Sequence, residues 1–451
     1  MRNYKLLWIC NVPTKRIELM QNMTQGTCVG GWLEGLSESL LVNKDIELCY
    51  CYPEYKNQKL GYGQKDNFKY YAIPISYYQA TMSMQERCKS GEIYRKILID
   101  EEPDVIHFFG TEFLYTSYFI KIAMEEGYKD KIVTSIQGLV SIYYNHYSAG
   151  LPDYIMRRKT LSEIKGKCSL ISNKKNYLHR GKYEQEALAN SSNIIGRTTW
   201  DRAYAYFIAP KSRYYFCNEN LRSVFYEGIQ WEYEKCNKFQ IVISQASYPI
   251  KGLHKIIEAV ALLRDEFPDI KVKVGGANIF EGNWIKGNSY GIYIRQLLKK
   301  YDIQERFEFE GFLSAEKMKR LLLESNVFVC PSSIENSPNS LGEAMILGVP
   351  CVASDVGGIS DMLTHNEEGF LYPFDDSYKM AFYIRKTFLE IEETKRRALR
   401  AKGHAAMTHN RKKNAETLIE IYHKICADNT IIEKIEENKR MLEYKVKRMY
   451  E

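Results

Sequence analysis

The chain is predicted to fold as two α/β domains, each a doubly wound parallel sheet, that face each other across a cleft. Three observations lead there. Strand-like apolar runs alternate with longer helix-like patterns in both halves, and alternating units of this kind imply parallel sheets covered on both faces. A polar, aromatic and aperiodic stretch at residues 226–238 separates the halves. The 451 residues, with 45% hydrophobic content, are enough for two cores at the usual roughly 100 to 250 residues per domain.

In the first half the strand candidates are residues 4–10, 45–51, 70–75, 104–109, 131–136 and 192–196. The second half repeats the plan at 239–244, 270–274, 307–310, 326–330 and 350–354, with a clear helical period over 252–263. The expected division is therefore 1–230 for the first domain and 231–425 for the second. Residues 426–451 are expected to form a helix docked on the body of the protein, because Glu and Lys alternate there around Ile431, Ile432, Ile435, Met441 and Leu442. The cleft between the domains is the expected ligand site.

Composition narrows the function. No apolar run approaches the roughly 20 residues needed to cross a bilayer. The first apolar run is broken by Asn11 and Pro13 and lacks a secretory cleavage pattern, so the expected location is cytoplasmic. Eleven cysteines without CxxC spacing are expected as reduced thiols, with Cys10, Cys49, Cys217, Cys330 and Cys351 in apolar strand-like runs. No Asp-x-Asp pair occurs, and neither histidines nor cysteines cluster at zinc spacing, so no metal or other cofactor is expected.

The net charge of +7 is mild, yet nine Lys or Arg face two acids within residues 151–182. Across 156–182, Arg157, Arg158, Lys159, Lys165, Lys167, Lys174 and Lys175 interleave with Leu161, Ile164, Leu170 and Ile171. A surface helix resting on anionic lipid has this composition, and so does an ordinary solvated insertion. Nucleic-acid binding is not expected, since aromatic stacking motifs are lacking and the basic face is too weak.

The segment richest in chemistry is residues 327–358, VFVCPSSIENSPNSLGEAMILGVPCVASDVGG. It reads as a buried strand, a polar turn, a helix and a second strand. The turn falls at the carboxyl end of a strand, where ligands bind in open α/β sheets, and a helix beginning near Asn339 would point free N–H groups into the cleft for a diphosphate. Glu335 and Glu343 stand within it with seven residues between them; taken singly they would be a solvated loop residue and an ordinary first-turn helix acid. Upstream, SQASYPIKGLHKIIEAVALL places Lys251 and Gly252 at a helix entry. Gly26, Gly30 and Gly31 precede the helix expected from Trp32, where glycine either admits a pyrophosphate or only permits a tight turn.

These segments resemble glycosyltransferase family 4, retaining enzymes of the GT-B fold with two Rossmann-like domains, of the type that builds bacterial surface polysaccharides. The resemblance implies a catalytic Glu335 against the donor sugar hydroxyls and a Glu343 that accepts from the ribose hydroxyls. It implies that Ser340 and Leu341 offer backbone N–H groups to phosphate. Lys251 would be the catalytic cation that neutralises the leaving diphosphate beside Gly252, with Gly30 and Gly31 against the donor phosphates. An Arg of the family pattern falls near Gln245 or Ala246, so one cation is missing there. PDVIHFFGTEF and IVTSIQGLV resemble two further segments, and the family's His position is Gln137, which can hydrogen-bond a sugar but cannot take a proton. Arg197 and Thr198 of IIGRTTWDRAYAYFIAP would sit at the cleft end of a strand, with Arg197 a phosphate or acceptor contact. His107 reads as a hydrogen-bonded core histidine.

The activity implied is transfer of a sugar from a nucleotide-diphosphate-sugar donor to a saccharide or lipid-linked saccharide, by front-side attack in which the leaving phosphate takes the acceptor proton. Two rivals stay open: a catalytically silent nucleotide-sugar-binding protein, and a GT-B-fold sugar epimerase or phosphorylase.

Overall fold

The computed structural model describes residues 4–22, 30–55, 59–75, 84–166, 168–280 and 287–428. Its strands are β1 Tyr4–Ile9, β2 Ile46–Glu54, β3 Gly61–Lys65, β4 Phe68–Pro74, β5 Val105–Phe109, β6 Ile132–Ser135, β7 Asn193–Gly196 and β8 Arg213–Phe216 in one sheet. A second sheet holds β9 Gln240–Ile243, β10 Lys271–Gly275, β11 Phe307–Gly311, β12 Val327–Cys330, β13 Cys351–Ser354 and β14 Phe370–Tyr372. The orders are β3-β4-β2-β1-β5-β6-β7-β8 and β11-β10-β9-β12-β13-β14. All pairings are parallel except the β3–β4 hairpin.

The strands read as unbroken apolar runs because both faces are covered by helices. Leu7, Trp8, Val105, Ile106, Ile241, Val242, Val327 and Val352 are completely buried. The helix Leu253–Leu263 buries Leu253, Ile256, Ile257, Val260 and Leu263 at the i, i+3, i+4 spacing that marks a core-facing stripe. Each such side chain contributes about 1.5–3 kcal/mol relative to exposure.

Each predicted strand is present. β3, β8 and β14 were not expected. The Gly-rich GYGQK is an edge strand with mixed exposure, RYYF is another edge with both ends exposed, and FLY is three residues long. The chain also passes between domains earlier than the expected 230/231, since Leu221 and Phe225 already lie in the core around Val242 and Phe328.

Two segments cross back. Residues 147–170 depart from the first sheet, and their Tyr147, Leu151, Ile155, Met156 and Leu170 are buried among Ile250, Leu253 and Tyr290 of the second domain. Glu163 fastens this strap by accepting from Ser289 N (2.8 Å) and Ser289 Oγ (2.5 Å) at the start of the helix Ser289–Tyr301. His254 fastens it again through Ala149 O, 2.7 Å. In the other direction, helical residues 411–428 bury Leu418, Ile421, Tyr422 and Ile425 against Trp8 and Tyr50. Residues 411–425, expected in the second domain, therefore complete the core of the first. Ile431, Ile432, Ile435, Met441 and Leu442 lie outside the described residues, as do Lys167 and Gly26.

His107 is a core histidine as expected. Its ring nitrogens meet Tyr422 Oη at 2.6 Å and Ser135 Oγ at 2.7 Å, and burial holds its pKa well below the usual range. Cys10, Cys49, Cys217, Cys330 and Cys351 are free and buried.

Candidate active site

The site forms where the turn after β12 meets the turn after β9. Gly252 decides the geometry. It adopts φ +69°, and a Cβ there would stand 1.7 Å from the Pro331 carbonyl oxygen, so only glycine lets the turn Pro249–Lys251 press against the end of β12. Ser333 N locks the two turns together by donating to Ile250 O at 2.7 Å. Lys251 is thereby carried to Glu335, with Nζ 2.5 Å from Oε1, and Ser332 Oγ donates to the same oxygen at 2.7 Å. Burial alone would lower the Lys251 pKa, but the Glu335 carboxylate and Tyr248 outweigh it and hold the ammonium well above its ordinary value.

Glu343 lies in the helix Asn339–Leu347, 3% exposed. Arg222 holds it bidentately, Nε to Oε1 at 2.6 Å and Nη2 to Oε2 at 2.7 Å. Burial pushes the Glu343 carboxyl up and Arg222 opposes that shift. The stem of Arg222 packs on Gly31, where a Cβ would come within 2.7 Å of its Cγ. Gly30, in the left-handed region at φ +84°, caps the helix Gly31–Leu41, which starts one residue before the expected Trp32. The two glycines, Arg222 and Glu343 thus form the second half of the site.

Ser340 stands in the first helical turn, where backbone N–H groups have no intrahelical acceptor. Leu341, expected as its companion, instead donates its N–H to Pro338 O at 3.0 Å because the turn closes on itself. Gln137 and Arg197, expected as acceptor or phosphate contacts, are directed inward. Gln137 Nε2 donates to Glu219 Oε1 at 2.7 Å, and Arg197 Nη1 donates to the same oxygen at 2.9 Å and to Ile136 O at 2.9 Å. Arg197 also reaches Ser337 across the domain boundary and is only 8% exposed. Its charge is satisfied within the protein. Thr198 Oγ1 donates to Asn336 Oδ1 at 2.7 Å, a second tie across the boundary.

Glu219, Arg222, Ser332 and Asn336 were missed in the sequence. Glu219 and Arg222 follow β8, itself unpredicted, and nothing near Arg222 in the chain announces a partner 121 residues away. Burial pushes the Glu219 carboxyl up against the pull of Arg197 and Gln137. A cavity of about 200 Å³ opens beside it, lined by Arg197, Ser337, Asn339, His404 and His409. Among the described residues, no group of three or more His, Cys, Asp or Glu is placed to hold a metal ion, and no helix is long and apolar enough to cross a membrane.

Two doubly wound domains closed on a cleft, with Asn336 and Ser337 of the second bonded to Thr198 and Arg197 just after β7 of the first, define a GT-B fold. Residues 229–404 match the family model of glycosyl transferases group 1. The sucrose-phosphate synthase of Thermosynechococcus elongatus superposes with a TM-score of 0.68 over 94% of this chain and 100% of its own, at 15% identity. Anabaena Alr3699/HepE in complex with UDP and glucose does so at 0.64, over 93% and 99%, also at 15% identity. In sequence, the chain is 31% identical over 137 residues to the amylovoran biosynthesis glycosyltransferase AmsK of Erwinia amylovora, covering 29% of this chain and 31% of that protein. The matches span less than half the length of the curated relatives.

Proposed function

We propose that the protein is a retaining glycosyltransferase of family 4 that moves a sugar from a nucleotide-diphosphate-sugar donor to a saccharide or lipid-linked saccharide in surface-polysaccharide biosynthesis. The observation that carries this reading is the Lys251–Glu335 pair, seated beside the N-terminus of the helix that bears Glu343. An ammonium and N–H dipoles fixed in a largely buried site stabilise the charge that builds on a departing diphosphate, and they need no reorganisation as it forms. Glu335 would receive hydroxyls of the donor sugar and Glu343 those of the ribose. Lys251 and the helix N–H groups would perform the neutralisation without a resident metal. The acceptor proton would pass to the leaving phosphate.

Support for the donor class comes from the HepE relative, whose structure holds UDP and glucose; support for the pathway comes from AmsK, named for amylovoran biosynthesis. The strap supports a membrane-facing acceptor at the cytoplasmic side. Tyr154, Leu161 and Ile164 are 64%, 61% and 58% exposed beside exposed Arg157, Lys159 and Lys165, the pairing of apolar tips and cations that docks on anionic lipid. Leu170, expected on that face, is buried in the second domain instead.

The test is thermal stabilisation by a panel of UDP-, GDP- and dTDP-sugars, followed by determination of the product anomer with the stabilising donor. A ligand bound only by the folded state raises the melting temperature. Stabilisation by one donor, its loss in Lys251→Ala and a product of unchanged anomeric configuration are expected. A folded protein that none of the panel stabilises would overturn the donor reading, and an inverted product would overturn retention.

A further inference from the structure

We propose that Arg222 is an anion-binding residue of the donor site, meeting the diphosphate of the bound nucleotide from the side of the first domain. The proposal rests on the donor reading above and adds to it a cation from outside the motif 327–358.

Three features converge on this side chain. Its stem lies on Gly31, the first residue of the helix Gly31–Leu41, and its guanidinium grips Glu343 in the helix Asn339–Leu347. The N-terminus of the helix Gly31–Leu41, carrying roughly half a positive charge, and the residue one turn into the helix Asn339–Leu347 therefore both meet a permanent cation. The acids these two helices contribute are Glu34, Glu38 and Glu343, and Glu316 of the helix Ala315–Leu323 also acts on Arg222. Such a place favours a further anion. The second feature is position. If Glu343 receives the ribose, the next group along a nucleoside diphosphate is the α-phosphate, and the Gly30–Gly31 turn on the other side of Arg222 is where backbone can approach it. The third is access. The Arg222 side chain is 26% exposed, against 19% for Lys251 and 8% for Arg197, and like them it already has a carboxylate partner, here Glu343. A planar fork can keep one hydrogen bond to Glu343 while it turns another to phosphate.

Were Arg222 only a structural counter-ion for buried Glu343, its loss would weaken nucleoside and nucleotide binding alike. The two roles separate in a ratio. Calorimetric titrations of wild type and Arg222→Gln with UDP, GDP and dTDP, and with uridine, guanosine and thymidine, give the preference for the cognate diphosphate over its nucleoside. In Arg222→Gln that preference should fall by about tenfold or more, the scale of a lost charge-assisted hydrogen bond. Arg222→Lys keeps a positive charge opposite Glu343 and serves if the Gln variant does not fold; it should lose part of the same preference. An unchanged preference in a folded variant overturns the proposal and leaves the donor reading standing. Failure of the wild type to bind any of the diphosphates overturns both.

Discussion

Lys251 Nζ and Glu335 Oε1 lie 2.5 Å apart, joined across 84 residues of chain by the contact of Gly252 with Pro331. Neither group is comfortable alone in this site, since an uncompensated charge in a largely buried place is costly. That dependence makes the pair separable by mutation.

Lys251→Met should destabilise the protein by about 3–5 kcal/mol, and Lys251→Met/Glu335→Gln should be more stable than the single variant despite carrying one more change. Urea unfolding of the three proteins checks the order. Both variants should lose sugar transfer by about a hundredfold or more.

Gly252→Ala tests the contact beneath the pair. A left-handed alanine and its collision with Pro331 should cost at least about 2 kcal/mol and displace Lys251. The expected result is a lowered unfolding midpoint together with weakened donor stabilisation; an alanine variant with wild-type melting and transfer would refute the role assigned to this glycine.

Acid should weaken the fold through two buried histidines. Burial lowers His254 and His409 to about 4, against 6.5 in the unfolded chain. Folded pKa values below the unfolded ones mean that the unfolded state binds more protons between these limits. Stability should therefore be full above pH 6.5 and fall as pH drops toward 4, by about 2 kcal/mol per histidine at pH 5. Unfolding midpoints across pH 4–7 measure the slope, and His254→Gln, which keeps a donor for Ala149 O, should flatten it.

The strap predicts a salt-sensitive surface. Wild-type protein should sediment with phosphatidylglycerol vesicles and less so at high salt. Leu161→Glu/Ile164→Glu, at two exposed positions, should abolish sedimentation without moving the melting temperature.

Much of this architecture is legible in the sequence because buried parallel strands announce themselves as apolar runs, as VFVC and QIVI do. Edge strands do not: GYGQK and RYYF are half-wet and short. The same contrast divides the site. Glu335, Glu343, Lys251 and Gly252 fall in contiguous strings long enough to carry a family resemblance, and it is the resemblance that implies their roles. Glu219 and Arg222 acquire meaning only from partners brought from elsewhere in the chain, Arg197 and Gln137 for one and Glu343 for the other. Arg197 illustrates the converse, for its place at the cleft end of β7 was readable, while the carboxylate that absorbs its charge was not.

The two crossing segments make the domains mutually dependent. Residues 147–170 fill the second domain's core and residues 411–428 fill the first's, so a cut between β8 and β9 would leave two fragments that each lack part of their own interior. Neither half should behave as an autonomous folding unit. Denaturation should proceed as one transition in which both sheets melt together, and a hinge that opens the cleft must bend around the strap rather than swing free of it.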